Sequence, residues 1–414
     1  MDSGRQNKGS NKTSAQRTNS FTFDGLGIAP KILEVLDKLK FVQPTPIQHK
    51  AIPIAMRGTD VIGVAQTGTG KTLAFTIPVV QRLSGNMKKC LILVPTRELA
   101  FQVNETFQKI APRFAIKTVV IVGGVPINKQ FKDLKKSPRV IIATPGRLLD
   151  HMNQKTIRLN AVSILILDEA DRMLDMGFKP DIEKILKSVP RERQTMLFSA
   201  TIPEEVVEIG TSHMKLPVHI EVAPSGTTAE HIVQELFIVK KETKKDLLSK
   251  LLEQYGGPVL LFSRTKRGAG KLKRMVKNMG HTVAEIHSDR TLSQRREALK
   301  GFKFGQYRVL VATDIAARGI DVVGIEIVIN YDLPDDAENY VHRIGRTGRA
   351  GHEGRAISFA TPEQGREIRN IEKLIKAALP VSEHPEIQHE KFVTRTLFKS
   401  NSRRRKRSGL RKHR

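Results

Sequence analysis

Two short stretches of the chain carry residue types that could do chemistry together. The first is "VAQTGTGKT", Val64 to Thr72. Gly68 and Gly70 let the backbone turn its N–H groups toward a phosphate. Lys71 would reach the β- and γ-phosphates, and Thr72 would ligate Mg²⁺ at a helix N-terminus. The strict phosphate-loop pattern wants glycine where Ala65 stands, yet "GTGKT" between an apolar run and an apolar helical stretch is a strong signal. The second stretch is "ILILDEADRM", Ile164 to Met173, in which four apolar residues run straight into Asp168, Glu169 and Asp171. Either the acids mark where a buried strand reaches water, or they hold a cation that another group needs. Beside Lys71 and Thr72 the second reading prevails. Asp168 then contacts Mg²⁺, through water, and Glu169 orients and deprotonates an attacking water. Asp171 is expected to pair with a basic group from a later strand end and to relay the state of the site.

Such residues need strand ends to hold them. Apolar runs recur as "VIGVAQ", "LILVPT", "TVVIVGG", "VIIATP", "ILILDEA" and "TMLFSAT", separated by helical stretches such as "KILEVLDKLKF" with Ile32, Leu36 and Leu39 on one face. Continuous Val/Ile/Leu strands alternating with helices predict a parallel sheet covered on both sides. Ligands bind such sheets beyond the carboxyl ends of the strands. The pattern relaxes at 223–230 and restarts with "VQELFIV", "PVLLFS", "TVAEIH", "RVLVAT", "IVINYD" and "RAISFA". The expected organisation is a polar N-terminal arm at 1–20, an α/β domain at 21–222, a linker at 223–230, a second α/β domain at 231–385 and a basic tail at 386–414. The last helix of the second domain is expected to carry Ile368, Ile371, Leu374 and Ile375 and to stop at Pro380. In "SRTKRGAGKLK" glycines and Lys271 follow a strand, but Leu272 comes next and no acidic partner motif appears later, so no second nucleotide site is expected.

The chain has 414 residues and a formal net charge of +28. Nine Lys or Arg and no acid lie between Lys399 and Arg414, which leaves +19 on the remainder. A polyanionic partner follows from that charge. Aromatics make up 5% of the residues and tryptophan is absent, which favours a grip on a backbone over base stacking. The lone Cys90 excludes an internal disulfide or a cysteine metal cluster, and suits a reducing cytoplasm. No apolar run reaches membrane-spanning length, so no membrane partner is expected.

"DEAD" together with "AQTGTGKT" resembles the DEAD-box family of ATP-dependent RNA helicases in superfamily 2, most like its bacterial RhlE-like subgroup. The resemblance extends from Phe21 to about Pro380. It implies two tandem RecA-like domains, Mg²⁺ with ATP as cofactor, and a cytoplasmic monomer acting on RNA. In "FVQPTPIQ" it implies that Gln48 reads the adenine edge, with Phe23 stacking nearby; the family's glycine before the Phe is replaced by Lys40. Ala65, Gln66, Thr67, Gly68, Thr69, Gly70, Lys71 and Thr72 would bind the phosphates. "PTRELA" (Pro95, Thr96, Arg97), Gly124 of "GG", and "TPGR" (Thr144, Gly146, Arg147) would hold RNA backbone, as would Arg264, Thr265, Thr313 and Arg318 in the second domain. Arg295 takes the family's Arg position in "SQRREALKGF", while Gln294 sits next to it rather than further away. Ser199 and Thr201 of "SAT" would link hydrolysis to strand separation. Asp321 would touch the ribose or a finger arginine. In "YVHRIGRTGRAG", His342 and Arg343 would couple the sites, and Arg346 and Arg349 would be arginine fingers that complete the ATP site on domain closure. The implied activity is RNA-stimulated ATP hydrolysis with local duplex separation, in settings such as ribosome assembly or RNA decay. An ATP-gated RNA clamp or annealing chaperone is the alternative.

Overall fold

The computed structural model describes residues 22–65, 68–222, 232–317, 322, 324–348 and 354–393. The apolar runs become short parallel strands. In the first domain these are β1 (Val61–Val64), β2 (Lys89–Leu93), β3 (Thr118–Ile121), β4 (Val140–Ala143), β5 (Val162–Asp168), β6 (Gln194–Ser199) and β7 (Val218–Glu221), in the order β3-β4-β2-β5-β6-β1-β7. The second domain holds β8 (Ile232–Ile238), β9 (Val259–Phe262), β10 (Val283–Ile286), β11 (Val309–Ala312), β12 (Ile327–Asn330) and β13 (Gly354–Ala360), in the order β10-β11-β9-β12-β13-β8. Every paired strand is parallel. Helices cover both faces, which is why Leu91, Ile92 and Leu93 on successive, opposite-facing positions of β2 are all buried.

Strand β7 had no counterpart among the expected runs. Only Ile220 of its residues is buried, so Val218–Glu221 reads as an edge strand too polar to stand out. The helix predicted to end at Pro380 stops earlier. It spans Gly365–Ile375, closes with Lys376 in a left-handed conformation, and leaves Leu374 exposed. The second domain also continues past 385. Glu390 N donates to Ile238 O at 2.8 Å, Val393 N to Pro362 O at 2.9 Å, and Ile387 joins the core. Glu386 and Glu390 pair there with Lys250 and Lys240, and the cationic run begins only beyond them. The N-terminal arm, the linker and the tail beyond 393 lie outside the described residues.

Lys40 shows what the family's glycine does. Its φ is +60°, and Phe41 N reaches back to Leu36 O at 3.0 Å to close the Pro30–Lys38 helix. Glycine is the usual residue for such a left-handed helix stop.

Candidate functional site

Residues of both domains line one cleft of about 690 Å³ whose wall includes Gln48, Gly70, Lys71, Asp168, Glu169 and, from the second domain, Arg346. The loop after β1 builds the first part. Gly70 has φ +89° and ends in the Lys71–Leu83 helix. A Cβ there would collide with the Gln48 amide, so glycine is required by space as well as by backbone. Lys71 is buried, and its ammonium donates to Ala65 O at 2.6 Å. Gln48 accepts from Thr45 N at 3.0 Å and donates to Gly70 O at 3.0 Å. It therefore caps its own helix while bracing the loop, and it lines the cleft beside Phe41. Phe23 is buried in the domain core. Thr72 and Gly68 line the cleft. Gln66 and Thr67 lie outside the described residues, as do Arg318, Asp321 and Arg349.

The end of strand β5 and the helix after it deliver three carboxyls with three different sets of partners. Asp168 is 2% exposed, and burial pushes its carboxyl up to about 7 against the pull of the Lys71 charge. Glu169 stands at φ +54°, a left-handed turn that costs a non-glycine residue about 1–2 kcal/mol. That turn aims the side chain away from the strand, where it pairs with the buried Arg172. Sequence reading missed Arg172; the signal was its position three residues after Glu169 on a helix. Asp171 takes its hydrogen bonds from the turn after β6, and the Lys71 and His342 charges act on it as well. Its Oδ2 accepts from Ala200 N at 3.0 Å, Thr201 N at 2.8 Å and Thr201 Oγ1 at 2.9 Å, and its N–H donates to Ser199 Oγ at 3.2 Å. Burial raises the Asp171 carboxyl, but the Thr201 hydrogen bonds and the Lys71 charge outweigh it and hold the group below the ordinary range. The acid after β5 is thus bolted to the turn after β6.

A hydroxyl from Thr72 and a carboxylate from Asp168 are the hard oxygen donors that Mg²⁺ takes, with water and phosphate completing the shell. Among the described residues no cluster of three His, Cys, Asp or Glu offers a competing site.

The other strand ends of the first domain form a second surface. Thr96 caps the Arg97–Ile110 helix through Leu99 N at 3.2 Å, next to Pro95. Arg97 lies against Gly123 and Gly124, where a Cβ would strike its guanidinium. Arg147 donates to Val125 O at 2.9 Å, so two arginines brace the glycine turn from either side. Thr144 starts the helix that contains Gly146 and Arg147. In the second domain Arg264 donates to Leu333 O at 3.2 Å and pairs with Asp335 at 3.2 Å, and Thr265 caps the following helix through Gly268 N at 3.0 Å. Thr313 is nearly buried at the end of β11.

The two domains touch through named pairs. Arg295 reaches Glu98 at 3.0 Å, with side chains 9% and 3% exposed. Arg296 lies 3.4 Å from the centre of the Phe101 ring. Gln294 is a helix cap, accepting from Thr291 N at 3.0 Å, and Leu292 is buried. Arg346 is 3% exposed and donates through Nε to His342 O at 3.2 Å. His342 has its imidazole pushed down to about 4 by burial and by the Arg172 charge, with Asp171 opposing. Arg343 is held inside its own domain by Asp314 at 2.5 and 2.8 Å, by Asn330 at 3.1 Å and by Asp332 O at 2.6 Å. Only His342 of that pair faces the β5 acids.

Residues 45–209 match the DEAD/DEAH box helicase family and residues 243–351 the helicase conserved C-terminal domain. The ATP-dependent RNA helicase CshA of Listeria monocytogenes is 44% identical over 366 residues, spanning 88% of this chain and 70% of that protein. CshA of Bacillus subtilis is 43% identical over 369 residues, 88% of this chain and 75% of its own. These relatives carry the name CshA rather than the RhlE label that the sequence suggested. Saccharomyces cerevisiae Dbp5 bound to RNA and ADP BeF3 superposes with a TM-score of 0.79 at 32% identity, covering 87% of this chain and 95% of that one. Mss116p bound to ssRNA and AMP-PNP gives 0.80 at 28% identity, covering 90% and 82%.

Proposed function

This chain belongs to the DEAD-box family of ATP-dependent RNA helicases, and on that premise we propose how its own residues divide the work. The enzyme hydrolyses ATP and acts on RNA. Gln48 and Phe41 would receive the adenine, and the amides around Gly68, Thr69 and Gly70 with Lys71 the phosphates. Thr72 and Asp168, the latter through water, would hold Mg²⁺, which when bound neutralises charge on the phosphate oxygens. Glu169 would orient the attacking water and accept its proton. To do so it must share its carboxylate with Arg172, a buried guanidinium that fixes its position. Arg346 would stabilise the charge that develops on the transferred phosphoryl group, with Arg349 as a second finger; such a finger is worth about 10³–10⁵ in rate.

RNA would cross the glycine turn braced by Arg97 and Arg147, pass Thr144 and Gly146, and continue over Arg264, Thr265 and Thr313 with Arg318. Its contacts are with backbone, so sequence preference is slight. Asp171 and Thr201 would report the ATP site to the turn after β6, and His342 would carry the report to the second domain. Because ATP and RNA both favour the closed pair of domains, each tightens the binding of the other. Closure bends one strand and separates a short duplex locally. A cytoplasmic monomer working in ribosome assembly or RNA decay fits the charge and the absence, among the described residues, of a helix able to cross a membrane. The basic tail would tether RNA near the core.

The observation that carries this reading is that Arg346 shares one cleft with Lys71 and Glu169 of the other domain. The test is steady-state ATP hydrolysis with and without single-stranded RNA for the unaltered protein, Glu169→Gln and Arg346→Lys. RNA stimulation that both substitutions abolish, with RNA binding retained in the presence of an ATP analogue, is the expected result. Normal duplex separation by Glu169→Gln would instead favour an ATP-gated clamp.

A further inference from the structure

The glycine- and lysine-rich stretch after β9 is not a nucleotide loop. Its residues form the Lys266–Asn278 helix, in which Gly268 lets the backbone sit on Ser263, where a Cβ would strike the hydroxyl. The helix holds six cations and no acid in 13 residues. Two of them are spoken for: Lys266 pairs with Asp289 at 2.9 Å and Lys273 with Glu285 at 3.3 Å. Arg267, Lys271, Arg274 and Lys277 are exposed and make no ion pair among the described residues. At 3.6 residues per turn the first three fall within about 60° of one another, and the line from Arg267 to Lys277 runs for about 15 Å. They lie opposite Ala269, Leu272 and Val276, the buried face of the same helix. The stripe starts one turn from Arg264 and Thr265, at the ligand-facing end of β9.

We propose that this stripe is an RNA-binding track outside the core grip, which takes the backbone of a strand or duplex flanking the segment held between the domains. The assignment rests on the reading that RNA passes Arg264 and Thr265. A phosphate backbone is the partner that fits, because the face carries charge alone. A protein interface needs an apolar or aromatic centre, and no large hydrophobic side chain is exposed on this helix. Charges spaced along a helix suit a regular line of phosphates, and they give affinity without reading bases.

The test uses the full chain with Arg267→Gln, Lys271→Gln and Arg274→Gln together. The control removes three cations of like spacing from the Gly365–Ile375 helix, as Arg366→Gln, Arg369→Gln and Lys373→Gln. Binding is measured against salt for a homopolymer RNA of about ten nucleotides, enough for a single-stranded core site, and for one of about thirty. Each single-strand phosphate contact contributes about 0.7 to the slope of log K against log salt, so three contacts contribute about 2. The slope for the long RNA should fall by about that much in the first variant only. The short RNA should keep its slope and its full stimulation of ATP hydrolysis. An unchanged long-RNA slope, an equal fall with the short RNA, or an equal fall in the control would each overturn the track. So would an unchanged RNA slope with lost binding to polyglutamate, which would give the helix to an acidic protein. RNA failing to stimulate the unaltered protein would sink the RNA-stimulated ATPase reading instead, a separate outcome from any of these slopes.

Discussion

Arg295 and Glu98 offer the sharpest test of domain closure. In the closed arrangement both side chains are nearly out of water and 3.0 Å apart. Arg295→Ala would leave Glu98 buried without its partner whenever the domains meet, and breaking a buried pair in this way costs about 3–5 kcal/mol. With the domains apart Glu98 returns to water, so the penalty falls on closure alone. RNA affinity in the presence of a non-hydrolysable ATP analogue should drop roughly 150- to 4,000-fold. Affinity without nucleotide should stay the same. Adding Glu98→Leu removes the stranded charge and should recover most of the loss, because replacing a buried pair by apolar residues is often close to neutral. Fluorescence anisotropy of labelled RNA, titrated with and without the analogue, reads both quantities. If Arg295→Ala weakens RNA equally in both conditions, Arg295 grips RNA itself. If the double variant is as weak as the single one, the ion pair is not the closing contact.

Three further outcomes follow from the same geometry. Arg296→Ala and Phe101→Leu should each reduce the mutual tightening of ATP analogue and RNA by about 0.5–2 kcal/mol, with a double variant no worse than either; additive losses would show that the stack of cation on ring is incidental. Lys40→Gly should raise unfolding stability by about 0.5–1 kcal/mol, the left-handed penalty of about 1–2 less the extra freedom of unfolded glycine, and a lower melting temperature would refute that account. Lys244 is buried and has its ammonium pushed down to about 8 by burial, despite Asp332 nearby. The unfolded chain therefore holds this proton more tightly than the folded one between pH 8 and the ordinary value of 10.5, so stability rises with pH across that window by up to about 1.4 kcal/mol per unit. Lys244→Met should lack that rise when urea unfolding is compared at both ends of the window.

The strands that position the site were legible because burial on both faces leaves no polar alternation to confuse them, as in "ILILDEA". Strand β7 was not, since three of its four side chains meet water. The phosphate loop and the β5 acids were legible for a chemical reason: Gly70, Lys71, Asp168 and Glu169 have few other uses in that order. What escaped were partnerships. Nothing in "DEADRM" says that Asp171 will take its hydrogen bonds from Thr201, or that Glu169 will be held by Arg172. Lys40 and Gln294 departed from the family pattern, and the structure gives each a backbone task, a left-handed helix stop and a helix cap. Arg295, Arg296, Glu98 and Phe101 come from opposite halves of the chain, so their contacts exist only once two sheets are folded and brought together.

Those partnerships explain why three carboxyls can share one strand end without doing the same thing. Asp168 sits deepest and is hard to ionise, so it answers to whatever positive charge is brought beside it. Glu169 is kept apart by a left-handed turn and is held in place by its own guanidinium. Asp171 spends its charge on three donors after β6 and has little left for solvent. The environment, rather than the residue type, divides the labour among them. The same division makes the site depend on the second domain: His342 and Arg346 approach a set of acids that Lys71 and Arg172 do not fully balance. On the proposed reading, RNA that draws the domains together would change the electrostatics of this cleft without touching it.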